Sequence, residues 1–361
     1  MLQSFEVERF RTFRHLRIER LARVNLVVGR NNVGKTMLLE ALRLYVNGGN
    51  PASLARLLWS REELMPPRDI LLSAEGESEG ALLHASSLFH GAGENGTHDR
   101  SFQLADPSEP RSALTITLFW QPDDALPYLE IERFGEHERL SSGELSWPMG
   151  LSLRRRLSAW PPFLSPQGMD AAAMGRAWDA LALKAGEDRV LRCLQSIAPI
   201  ERVTLIQHPG RRAHRVVMVR MAGRPEPVPL KRLGDGTTRV FQLALALEMA
   251  SEGVHKAEYD PHDLALDERI LLADEIESGI HYSALPEVWR FLLRAARDLD
   301  VQVFAATHSW DAIEALQQAV ADEPAGSAQL IRLEQRGEEH RAILFDQSEL
   351  PLVTKHHVEV R

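Results

Sequence analysis

Apolar spacing defines the first elements of the chain. Phe5 and Val7 alternate with polar neighbours, and Phe13, Leu16 and Ile18 stand among arginines. Residues 1–22 therefore read as two short antiparallel strands joined by a polar turn within Phe10–Leu16. Arg23–Val28 carries a continuous run rich in Val and Leu, the mark of a buried strand. Met37–Val46 has helical spacing, and Gly48-Gly49-Asn50-Pro51 stops it.

Leu54–Leu64 repeats with a helical period, and Gly91–His98 is a polar stretch expected to form a mobile loop. Ala113–Trp120 alternates as a strand and can pair with Tyr128–Arg133. A helix is expected over Met169–Leu183, and residues 187–232 read as a return to strands, at Val203–Gln207 and Arg215–Met221.

From 228 onward the pattern is regular. A nearly apolar helix spans Val240–Met249, after which residues 251–268 are acidic and irregular. Buried strands follow at Ile270–Ala273 and Val301–Ala306, helices at Ala284–Leu299 and Asp311–Val320, and a hairpin at Gln329–Leu333 with Arg341–Phe345. Strands alternating with helices predict an α/β fold with a mixed sheet. The division expected is 1–50, 51–227 and 228–361, the middle part holding further strands and helices and, over the Trp- and Pro-marked residues 134–190 (Trp147-Pro148, Trp160-Pro161-Pro162), a helical insertion.

One stretch sits between the third strand and the first helix: Gly29-Arg30-Asn31-Asn32-Val33-Gly34-Lys35-Thr36. It fits the phosphate-binding pattern G-x-x-x-x-G-K-[ST] in the strand–loop–helix context that the pattern requires. Glycines let the loop curl its N–H groups onto one anion, and the helix N-terminus adds partial positive charge. Asn31, Asn32, Val33, Gly34, Lys35 and Thr36 are then the nucleotide-binding residues. Lys35 reaches the β- and γ-phosphates of ATP, and the Thr36 hydroxyl is a ligand for Mg²⁺.

A second half of such a site follows Ile270–Ala273, where the strand delivers Asp274 and Glu275 at its carboxyl end. Asp274 would hold Mg²⁺ opposite Thr36, and Glu275 would polarise the attacking water. The bland reading is a pair of solvated acids at a strand end. Thr307-His308-Ser309 also follows a buried strand. His308 can hydrogen-bond a γ-phosphate, while Ser309 can cap the next helix, and both can hold. Gly234-Asp235-Gly236 precedes a helix, either as a phosphate-binding turn or as a plain loop-to-helix turn.

Composition narrows the setting. The chain has 361 residues, 44% of them hydrophobic, with a net charge of −9 and one cysteine, Cys193. An intramolecular disulfide is excluded, so a reducing cytoplasm is expected. The start lacks a signal-peptide core, and no apolar run approaches a membrane span. A chain this acidic would meet nucleic acid only through a local patch.

Taken together, the P-loop with Asn31-Asn32, the opening Phe10-Arg11-Thr12-Phe13, the segment Ala273-Asp274-Glu275-Ile276-Glu277-Ser278-Gly279-Ile280-His281, and Thr307-His308-Ser309 resemble the ABC-type ATPases. The branch they resemble most is the RecF/SMC-like group, especially the OLD-family (AAA15/AAA21-type) ATPases. The resemblance covers 1–50 and 228–346 well and 51–227 poorly. It implies a P-loop NTPase head that sandwiches ATP between two copies. Gly234, Asp235 and Gly236 would act as the signature turn in trans, Glu277–Gly279 as the D-loop, and His308 as the switch histidine.

The turn departs from the usual signature, with Gly234 where serine is common and Asp235 where glycine is. Gln121 is the position considered for the family's Q-loop glutamine. Full-length nucleases of the family add a Toprim domain. Only a short tail with Asp346, Glu349 and Glu359 follows Phe345, with no strand-borne D-x-D, so the chain is expected either to act with a separate effector or to have no nuclease role. The implied function is an ATPase whose ATP-dependent oligomer controls that effector in an anti-phage module. The alternative is a RecF/SMC-like DNA-binding repair ATPase.

Charge is segregated: residues 201–240 hold nine Lys/Arg against three acids, and 251–280 hold nine acids against two bases. This arrangement suits a DNA-facing patch, attraction between subunits, or a solvated face. Arg154-Arg155-Arg156 is a second basic group.

Overall fold

The computed structural model describes residues 1–63, 86–91, 100–119, 128–141, 162–208, 215–252, 266 and 268–355. Residues 92–98, Gln121, Trp147-Pro148, Arg154–Arg156, Trp160-Pro161, Arg211, Arg212 and 253–265, each named above, lie outside the described residues, as does Glu359.

Every side chain of Val24–Val28 is buried, and this strand lies within a six-stranded sheet. The amino-terminal strands are β1 (Phe5–Phe10), β2 (Phe13–Ile18) and β3 (Val24–Val28), followed by helices α1 (Lys35–Val46) and α2 (Pro51–Ser60). Next come β4 (Arg100–Ala105), β5 (Leu114–Phe119), β6 (Tyr128–Arg133), β7 (Glu136–Ser141) and the short β8 (Phe163–Leu164). Helices α3 (Ala171–Leu181) and α4 (Ala185–Gln195) precede β9 (Ile200–Gln207), β10 (Arg215–Met221) and β11 (Val228–Pro229). The remainder is α5 (Asp235–Ser251), β12 (Ile270–Ala273), α6 (Leu285–Asp298), β13 (Gln302–Ala306), α7 (Trp310–Ala319), β14 (Ala328–Arg336), β15 (Glu339–Asp346) and α8 (Leu350–Lys355).

The central sheet runs β15-β14-β3-β13-β12-β8, all parallel except the antiparallel edge strand β15. Five carboxyl ends therefore open on one edge, where α/β sheets bind ligands. A second sheet, β2-β1-β4-β5-β6-β7, is antiparallel throughout, and β11-β10-β9 form a third.

The two faces of the central sheet are covered differently. Leu272, Phe304 and Ile331 pack with Leu38 and Leu42 of α1 and with Phe5 and Phe102 of the second sheet. Leu26, Leu271 and Val303 pack with Leu245, Leu292 and Leu316 on the opposite side. Burial on both faces explains why β3, β12 and β13 read as continuous apolar runs.

Helix α1 is buried along most of its length and is fixed at two points. Glu40 forms an ion pair with Arg11, whose Nε is 3.0 Å away, and accepts from Arg61 at 2.8 Å, and Arg11 also holds Glu63. Burial pushes the Glu40 carboxyl up, against the pull of the two arginines. At the other end the fully buried Arg133 donates to the Tyr45 and Ser112 carbonyls, its guanidinium 4.5 Å from the Tyr45 ring centroid.

Three elements differ from the sequence expectation. Ala185–Gln195 is a helix where a return to strands is read, so the strands begin only at Ile200. Helix α2 ends at Ser60, short of Leu64, and Glu62 has φ 59° in the left-handed region. Helix α5 begins at Asp235, not Val240, so most of the glycine-rich turn is its first helical turn.

Candidate functional site

The loop after β3 is shaped by its glycines. A Cβ on Gly29 would stand 2.6 Å from the Leu333 carbonyl oxygen. One on Gly34, at φ 101°, would stand 2.6 Å from Phe13 Cζ. Gly34 is the N-cap of α1 and supplies no side-chain cap, and no acid sits in the first turn. The first turn of α1 therefore carries neither a side-chain cap nor an acid of its own. Asn31 and Asn32 are exposed, Asn32 at φ 65°, and Val33 is buried beneath them.

Lys35 folds back over the loop, its Nζ donating to the Gly29 carbonyl at 2.7 Å and the Arg30 carbonyl at 3.0 Å. Burial lowers its pKa, while the charges of Asp274, Glu277 and Glu275 oppose that shift. All three acids come from the strand end at β12, which brings the two halves of the sequence pattern together.

The join is direct. Thr36 Oγ1 donates to Asp274 Oδ2 at 2.7 Å across 238 positions of sequence. Asp274 is buried, and its other oxygen accepts the Glu275 N–H at 3.1 Å. A hydroxyl and a carboxylate at this spot are hard oxygen donors of the kind Mg²⁺ takes, so the residues fit that ion. Glu275 has φ 44°, a left-handed conformation costly for a non-glycine residue, and its side chain is 42% exposed.

His308 completes the cluster from the end of β13. Its Nδ1 lies 3.7 Å from Glu277 Oε1 and 3.8 Å from Glu275 Oε1, and its N–H donates to Glu277 at 3.4 Å. Ser309 is the N-cap of α7 by position, but its side chain makes no capping bond. Thr307 Oγ1 accepts the Ser309 N–H at 2.9 Å instead.

Gly234, Asp235 and Gly236 are placed differently. Gly236 fits against Gly279, where its Cβ would stand 2.5 Å from the Gly279 carbonyl oxygen. Asp235 lines a cleft of about 570 Å³ with Gln167, Arg239 and Ser278, to which no P-loop residue contributes. Within one chain, then, Lys35, Thr36, Asp274, Glu275 and His308 converge, and the glycine-rich turn opens onto a separate cleft.

Two residues escaped the sequence reading. Arg239 is buried and donates to the carbonyls of Ser165 at 2.5 Å, Asp274 at 2.7 Å and Glu275 at 3.0 Å. Burial lowers its pKa to about 10, against the nearby acids. The available signal was a lone arginine at the head of an apolar helix. Gln167 follows β8, the strand beside β12, and lines the same cleft as Asp235. A two-residue strand leaves little pattern to read.

Residues 217–313 match the family described as "AAA domain, putative AbiEii toxin, Type IV TA system". That range holds the glycine-rich turn, Asp274, Glu275 and His308, beside the P-loop already described. The fold is α/β of the P-loop NTPase kind, and residues 217–313 are similar to that AAA-domain family.

An "ATP/GTP phosphatase" of Helicobacter pylori is 20% identical over 368 aligned positions, covering 89% of each chain. The "Uncharacterized protein MJECL10" of Methanocaldococcus jannaschii is 35% identical over 54 residues, 15% of this chain and 25% of that protein. Among solved structures, an SMC head bound to the C-terminal winged-helix domain of ScpA is similar at TM-score 0.49 and 14% identity, covering 95% of this chain and 97% of that one. The SMC head domain from Thermotoga maritima follows at 0.46 and 13%, covering 96% and 99%. No described helix is long and apolar enough to cross a membrane.

Proposed function

We propose that the chain binds and hydrolyses ATP, and that an ATP-dependent dimer or higher oligomer of it controls a separately encoded effector in a bacterial defence module. The Thr36–Asp274 contact carries the catalytic part of this reading. Lys35 exchanges its two loop carbonyls for β- and γ-phosphate oxygens. Thr36 and Asp274 hold Mg²⁺, which when bound neutralises charge developing on the transferred phosphoryl group. Glu275 orients and polarises the attacking water, and its exposed carboxylate suits that task. His308, beside Glu275, hydrogen-bonds the γ-phosphate.

Gln167 is placed to serve as the Q-loop glutamine, because β8 ends on the ligand edge beside β12. The glycine-rich turn acts on the nucleotide of a second copy, a reading supported by its separation from the P-loop in one chain. The matched family's description, an AAA domain and putative AbiEii toxin of a type IV toxin–antitoxin system, is in keeping with a defence module. The test is Mg²⁺-dependent ATP hydrolysis by the purified chain, with its oligomeric state followed with and without ATP. Absence of both hydrolysis and ATP-dependent assembly would refute the proposal.

A DNA-binding repair role is the second reading. Arg202 and Arg220 stand directly opposite one another on β9 and β10, both exposed. Like charges in register are unfavourable without an anion between them, although Arg220 also holds Glu201 at 3.0 Å. Binding to duplex DNA that weakens steeply with salt would favour it.

A further inference from the structure

The P-loop strand has two neighbours that point to the two ends of a nucleotide. On one side β13 leads to His308, with β12 and its Asp274 and Glu275 beyond it. A γ-phosphate on that side directs the nucleoside end of the same molecule toward the other neighbour, β14. A cleft of about 440 Å³ lies there, between Arg30, Asn31 and Val33 of the loop and the β14–β15 hairpin. Its size falls in the range of small-ligand sites, roughly 300–1,000 Å³.

No aromatic side chain lines this cleft among the described residues, so a base is not held there by ring stacking. Val33 and Leu333 supply the apolar contact. What distinguishes the cleft is the carboxylate of Glu334. Its Oε1 lies 2.7 Å from Arg332 Nη2 as an ion pair, and Arg336 stands 3.7 Å from Oε2. An ionised carboxylate has about four lone-pair sites, so acceptor capacity remains beyond these two contacts. Arg336 is three-quarters exposed and can turn toward a ligand.

A carboxylate beside a guanidinium complements guanine. The N1–H and N2–H₂ groups of guanine donate to a carboxylate, and its O6 and N7 accept from arginine. Adenine presents an unprotonated N1 to the same carboxylate, which repels it. We infer that Glu334 reads the base and that this site admits guanine nucleotides at least as well as adenine nucleotides. The inference rests on the phosphate-binding role proposed for the P-loop.

The test uses the full chain, titrated with fluorescent mant-GTP and mant-ATP and with inorganic tripolyphosphate as a competitor that carries no base. In the wild type, mant-GTP binds as tightly as mant-ATP or tighter. Glu334→Gln weakens GTP binding by roughly tenfold or more and leaves ATP binding equal or tighter, because a glutamine amide pairs with adenine. Displacement by tripolyphosphate stays unchanged in that variant, which also reports that the loop is intact. A wild-type preference for ATP of tenfold or more, or an unaltered GTP-to-ATP ratio in Glu334→Gln, would overturn the base assignment while leaving the phosphate site standing. Failure of all three ligands to bind, or equal binding by Lys35→Ala, would remove the phosphate site and the base assignment with it.

Discussion

Thr36 and Asp274 are joined by a 2.7 Å hydrogen bond although 238 positions separate them in the chain. The bond forms because α1 starts at the carboxyl end of β3 and Asp274 leaves the same sheet edge one strand beyond β13. Every functional statement above depends on that meeting.

Lys35 is the cation of this cluster, and its loss leaves the phosphates without a charged donor. Each charge-assisted hydrogen bond contributes about 1.5–3 kcal/mol. Lys35→Ala is therefore expected to weaken ATP binding roughly 100-fold or more, read by calorimetric titration. Thermal stability should change little, since the Lys35 side chain bonds only to two loop carbonyls.

Arg239 ties three carbonyls at the ends of β8 and β12. Replacing it with methionine keeps the bulk and orphans those acceptors, at about 1–3 kcal/mol for each buried group left unpaired. Arg239→Met should lower the unfolding temperature by several degrees. It should also slow hydrolysis more than it weakens ATP binding, because the carbonyls it holds belong to Asp274 and Glu275. Calorimetric unfolding and steady-state kinetics check both.

His340 is buried against Phe13, ring centroids 5.0 Å apart, and Phe13 is the residue that abuts Gly34. Burial lowers the His340 pKa, and the nearby His90 lowers it further. The native state therefore binds the proton less readily than the unfolded chain. Its contribution to stability is complete above the ordinary histidine value near 6.5 and is lost as pH falls below that toward the depressed native value. Urea midpoints measured from pH 7.5 to 5 should fall in the wild type and fall less in His340→Phe.

The glycine-rich turn predicts complementation between inactive partners. Asp235→Lys and Lys35→Ala should each hydrolyse ATP poorly alone. A mixed dimer joins the intact P-loop of the first to the intact turn of the second, so a mixture should recover activity. A mixture as inactive as its components would place the turn outside the reaction.

The legible part of this fold was the part buried on both faces. β3, β12 and β13 announce themselves as apolar runs, and the loop after β3 as a fixed spacing of Gly, Lys and Thr. Helix α4 was hidden because Gly186, Asp188 and Arg192 dilute its apolar face to Val190, Cys193 and Leu194. Strand β7 carries Glu136, His137, Glu138 and Arg139 and gains its place only by pairing with β6. Arg239 and Gln167 were not legible because their significance comes from neighbours distant in sequence. Helix α5 starts ahead of its apolar pattern because Gly236, a turn former by residue type, lies in its first helical turn. Its missing side chain instead allows the helix to lie against Gly279.

The most direct test is ATP hydrolysis by Glu275→Gln, measured beside ATP binding by the same preparation. The account predicts that binding is kept and turnover falls roughly 10²–10⁴-fold, the usual contribution of a general base. Turnover equal to wild type would contradict it.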